Sequence, residues 1–229
     1  MILVIGIAGV LIGSLLYWLG DALPYWAKAR QVAGATRPPY QGPALLRLLI
    51  AAVRRPARLN AQSGYAIMVE AAYTLTIVSL WQRFGLSTAF LLDAAIIAIL
   101  LVIALVDFKY RLVLNFVTYP AFIGCLFFQL GRGDLTNALV GGVFALAIFG
   151  ATALVQPGKL GGGDIKLAVV LGVAFGFPGV LWVLIIGTVA GAVAGFILFA
   201  RSRQKTFAYA PYLCLGAAFS LFYNPFLLG

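Results

Sequence analysis

The chain has 229 residues, of which 63% are hydrophobic and only 10% charged, whereas a soluble domain is nearer half apolar and a quarter charged. It carries a formal charge of +10, two cysteines (Cys125 and Cys214) inside apolar stretches, no CxxC pair and no histidine. Zinc chemistry, a Ser-His-Asp triad and a Cys-His nucleophile are therefore set aside, and no metal site is expected.

In chain order, eight apolar segments are predicted as helices: 1–20, 64–82, 86–106, 112–131, 136–156, 165–177, 180–200 and 206–227. Most approach the roughly 20 residues that a helix needs to cross the hydrocarbon core. The alternation that a β-barrel requires is missing. The expected fold is an all-α integral membrane protein of about eight transmembrane helices. The opening run has no basic flank or small-residue cleavage site, and is read as a retained helix.

The long polar interval 21–63, rich in Arg, Pro and Gly, divides the expected organisation. Residues 1–85 form an N-terminal region of two helices, and residues 86–229 a region of six. If loops alternate sides, this interval and the loops at 107–111, 156–166 and 201–205 share one face. They hold 7, 2, 2 and 3 basic residues, hence 14 of the 16; Arg83 and Arg132 stand opposite. The positive-inside rule puts the basic face in the cytoplasm and both termini outside. The charge is thereby explained by the lipid bilayer, without nucleic acid.

The sixth segment is short. Thirteen residues reach about 20 Å, less than a hydrocarbon core of about 30 Å. Irregular backbone at membrane depth survives only where it meets protein or a water-filled cavity. The preceding run Gly161-Gly162-Gly163-Asp164 is thus expected to form a wet, sunken site.

Six acidic residues occur in the chain: Asp21, Glu70, Asp93, Asp107, Asp134 and Asp164. Asp107 closes the third segment and Asp164 opens the sixth, on one face and at similar depth. Such a pair suits aspartyl proteolysis, in which one carboxylate activates water while the other, protonated, polarises the scissile carbonyl. Helix-end electrostatics favour a charge on Asp164, at an N-terminus, over Asp107, at a C-terminus. Equally, Asp164 reads as a plain N-cap and Asp107 as a polar residue ending a span. Asp21 and Glu70 are candidates for a second site, or simple helix-end and interhelical contacts. Asp93 lies about 21 Å along one helix from Asp107 and is no partner for it. Lys166 is expected to meet lipid phosphate or to bias Asp164.

The run GKLGGGDIKL at 158–167 contains a GxGD signature, Gly161, Gly163 and Asp164, continuing into Ile165, Lys166 and Leu167. With the stretch from Asp107 through Asn115, Thr118 and Pro120, it resembles the type IV prepilin peptidases. The opening helix (Gly9, Gly13, Ser14), residues 64–85 with Glu70, and APYLCLGA at 210–217 are similar in the same order. The resemblance implies a GxGD aspartyl protease architecture in the bacterial cytoplasmic membrane. Asp107 and Asp164 would be catalytic, and Gly161, Gly163 and Lys166 would shape the substrate's approach. The implied substrates are type IV prepilins or pseudopilins, cut at a short basic leader on the cytoplasmic side. Proteolysis needs no cofactor; some family members also methylate the new amine with S-adenosylmethionine. The chain departs from the family in lacking paired CxxC motifs in loop 21–63 and in having Leu114 where a proline is common. An ion transporter using both aspartates, and a noncatalytic pilus or secretion assembly factor, are the alternatives. Oligomeric state and the identity of the prepilin are not encoded in any motif.

Overall fold

The computed structural model describes residues 1–27, 43–44, 61–155, 157, 160–202 and 208–223. Eight helices account for almost all of them: α1 (Ile2–Trp26), α2 (Ala61–Phe84), α3 (Thr88–Tyr110), α4 (Asn115–Arg132), α5 (Leu135–Val155), α6 (Gly162–Phe175), α7 (Gly179–Ser202) and α8 (Ala210–Tyr223). No strand occurs among the described residues. Helices satisfy their backbone groups internally, which a lipid solvent demands. Each of the eight apolar segments therefore holds one of these described helices, and the chain is an all-α membrane protein.

Some boundaries differ from expectation. α1 continues to Trp26, so Asp21 lies within a helix rather than opening the polar interval. α3 runs on to Tyr110, and α8 opens only at Ala210; residues 224–229 lie outside the described part, as does most of the 21–63 interval. Five helices (α1, α2, α3, α5 and α7) are long and apolar enough to cross a membrane. α6 has 14 residues, about 21 Å at 1.5 Å per residue, and α8 is described over Ala210–Tyr223.

The chain divides into two compact units, Met1–Leu105 and Val106–Gly229. In the first, α1 runs antiparallel to α2 at very close range. A Cβ on Gly9 would come within 2.9 Å of the Thr74 Cα, and one on Gly13 within 2.8 Å of the Glu70 Cα. Small residues at such seams let backbones approach, which is how helices gain packing energy where no hydrophobic effect separates protein from lipid. α3 joins this pair where the Tyr73 hydroxyl donates to the Ala94 carbonyl at 3.3 Å.

The second unit is built on two antiparallel pairs of the same kind. α5 and α6 meet where Gly141 faces the Gly172 carbonyl and Gly142 faces Val173. α7 and α8 meet through Gly187 against Leu213 and Gly216 against the Val183 carbonyl. α4 flanks α6 and closes its far end: Gln129 Nε2 donates to the carbonyls of Val173 (3.2 Å) and Ala174 (3.1 Å). Those carbonyls, in the last turn of α6, have no partner within their own helix.

Candidate active site

Asp107 stands in the last turn of α3 with only 6% of its surface exposed. Its Oδ2 accepts the backbone N–H of Ala210 at 3.1 Å. Ala210 opens α8, and the residue after it, Pro211, has no N–H to give. The amides of Tyr212 and Leu213 turn back to the Tyr209 carbonyl. Ala210 therefore supplies the one amide of these four residues that is aimed at the carboxylate. Past Asp107 the chain reverses through Arg111, which holds a left-handed φ of +53°, and the Arg111 charge attracts the carboxylate.

Asp164 lies in the first turn of α6, with Gly161 as N-cap. It is close enough to Asp107 for the two carboxylates to repel one another. The three glycines before it do different work. A Cβ on Gly163 would fall 2.6 Å from the Val113 Cβ, in the segment that follows Asp107. One on Gly161 would come 3.1 Å from Asp164's own Oδ2, and one on Gly162 would meet nothing within 4 Å. The glycines named by the GxGD pattern thus make room for Val113 and for the aspartate itself.

The depth of the pair follows from helix register. Gly172 lies opposite Gly141, and Asp164 precedes Gly172 by as many residues as Phe149 follows Gly141. Asp164 is therefore level with Phe149, six residues and about 9 Å short of the end of α5. On the other pair, the Tyr209 ring packs on Gly191, eleven residues and about 17 Å short of the end of α7. The two registers agree, because the Phe149 and Tyr209 rings stand 6.2 Å apart. α6 and α8 are both cut off at this same end, and their N-termini converge on the carboxylates below the ends of α5 and α7.

The dipole argument for unequal aspartates needs correction. Asp107 does end one helix, but the N-terminus of α8 points an N–H at it, and that terminus favours an anion. Each carboxylate therefore lies at a helix N-terminus, and the expected asymmetry is offset by α8. Lys166 Nζ donates to Asn115 Oδ1 at 2.9 Å and sits 5.4 Å from the Tyr119 ring centre. It ties α6 to α4.

Asp21 and Glu70 belong to the first unit and are not brought together. Gly13 abuts Glu70, and Asp21 is eight residues further along α1, about 12 Å along the axis. Glu70 is buried and accepts the Ala44 N–H at 2.6 Å. Sequence reasoning missed Tyr209, the Ala210 amide and Cys214, whose thiol lies near both carboxylates. The Ala-Pro pair opening α8 was the available signal, since proline favours a helix's first turn.

Comparison with known protein families gave one match. Residues 94–196 match the type IV leader peptidase family. This is the family that the sequence resembles, and the matched stretch takes in both Asp107 and Asp164. α8, with the amide that meets Asp107, lies beyond the leader-peptidase match. No curated protein and no solved structure matches the chain.

Proposed function

We propose that the chain is a membrane aspartyl endopeptidase that removes the basic leader from type IV prepilins or pseudopilins at the cytoplasmic boundary. The observation that carries this reading is the convergence of Asp107 and Asp164, 57 positions apart (164 − 107) and both inside the leader-peptidase match, at the N-termini of α6 and α8.

Two carboxylates this close share a proton and act as a unit. The ionised member takes a proton from water as the oxygen attacks the scissile carbonyl. The protonated member gives its proton to the carbonyl oxygen, and collapse of the tetrahedral intermediate sends a proton to the leaving amine. The helix N-termini favour the single negative charge that the pair must hold. No cofactor enters these steps. The basic face of the chain, with 14 of 16 Lys and Arg, supports a cytoplasmic opening, the side on which a prepilin leader resides.

The test is cleavage of a prepilin by the purified chain in detergent or lipid. Wild type is expected to cut at the leader junction. Asp107→Asn and Asp164→Asn are each expected to lose at least about a thousandfold in kcat. Robust cleavage by either folded variant would overturn the assignment.

A further inference from the structure

The amide that meets Asp107 is held in place by a side chain that no part of the foregoing chemistry uses. Tyr209 immediately precedes α8, and its carbonyl accepts the amides of Tyr212 (3.1 Å) and Leu213 (3.5 Å), starting the helix. Its hydroxyl donates to Thr188 Oγ1 on α7 at 3.1 Å. Its ring lies flat enough on α7 that a Cβ at Gly191 would stand 2.7 Å from Cε2, and Phe149 of α5 borders it. The next amide along the chain is the one given to Asp107. Tyr209 is also near enough to Asp164 to interact with it electrostatically.

We infer that Tyr209 is a positioning residue for the proposed peptidase. Its hydroxyl bond to Thr188 fixes where α8 begins, and so holds the Ala210 N–H on Asp107. This rests on the proposed proteolytic reading. Two features make the link specific. Pro211 leaves no neighbouring amide that takes over if the helix start shifts. The ring packs directly on Gly191, where an added Cβ would collide with it.

The experiment compares steady-state prepilin cleavage by wild type, Tyr209→Phe, Thr188→Val, the double variant and Thr188→Ser, with Asp164→Asn as the dead control. Tyr209→Phe and Thr188→Val should each lower kcat about three- to tenfold with KM within twofold, the size expected for one interhelical hydrogen bond acting on the transition state. The double variant should be no worse than the worse single one, since both remove the same bond. Thr188→Ser, which keeps the acceptor, should retain wild-type kcat. Thermal melting in detergent reports whether each variant is folded. Additive losses, a rise in KM at constant kcat, or wild-type kcat in a folded Tyr209→Phe would each overturn the inference. A wild type that cuts no prepilin would sink the proteolytic reading, which is a separate outcome from a cutting enzyme indifferent to Tyr209.

Discussion

At the scale of single residues, the run Gly161-Gly162-Gly163 shows how one composition hides three requirements. Gly163→Ala drives a methyl into Val113, 2.6 Å away, and shifts the turn that carries Asp164. Prepilin cleavage should fall at least about tenfold, as a misplacement of about 1 Å costs even more in catalytic geometry. Gly162→Ala meets nothing and replaces a poor helix former by the best one, so it should keep activity and raise stability by up to about 1 kcal/mol. Parallel cleavage and melting measurements on the two alanine variants check both. The aspartates and the glycine signature could be singled out in the sequence because the proposed chemistry needs those residue types at those spacings. Tyr209 and the Ala210 amide could not, because a backbone N–H carries no residue-type signal and its aim depends on where α8 starts.

Among the elements, α6 is the helix on which the site depends most, and it is tied down at both ends. Lys166 joins it to Asn115 near Asp164, and Gln129 closes its last turn through Val173 and Ala174. Gln129→Leu removes the donor and leaves those carbonyls without it, at a cost of about 0.5–2 kcal/mol. Val173 is nine residues from Asp164, about 14 Å along the helix, so unfolding in detergent should come earlier while kcat per folded molecule stays near wild type. The seam between α5 and α6 is less forgiving. Gly172→Leu would push a side chain into the Gly141 carbonyl, and the variant should fail to fold, read as loss of a monodisperse species on size exclusion. Helix existence was plain from hydropathy, and the shortness of the sixth segment announced its depth. The Gln129 tie was not foreseeable, because it joins residues 44 and 45 positions apart whose register only packing sets.

For the molecule as a whole, the distribution of charge is the strongest statement about orientation. With Arg83 and Arg132 opposite 14 other basic residues, the positive-inside rule makes a sided prediction. In intact spheroplasts, a cysteine replacing Arg132 should react with a membrane-impermeant maleimide, and one replacing Gln204 should react only after lysis. The opposite pattern would invert the topology and place the aspartates on the wrong side for a cytoplasmic leader. Each of the eight apolar runs foretold one of the described helices, yet sequence alone did not show that two of them start short at the same end, since chain order separates α6 from α8.

That pair of shortened helices also makes the chain responsive to its solvent. α6 is sheathed, with Leu167, Ala168 and Leu171 fully buried, but α8 turns Leu215, Phe219 and Tyr223 outward. α8 therefore presents apolar side chains outward while its start lies about 17 Å short of the end of α7. Acyl chains on that side bear on the one helix whose first amide holds Asp107, so turnover in reconstituted vesicles should change with acyl length.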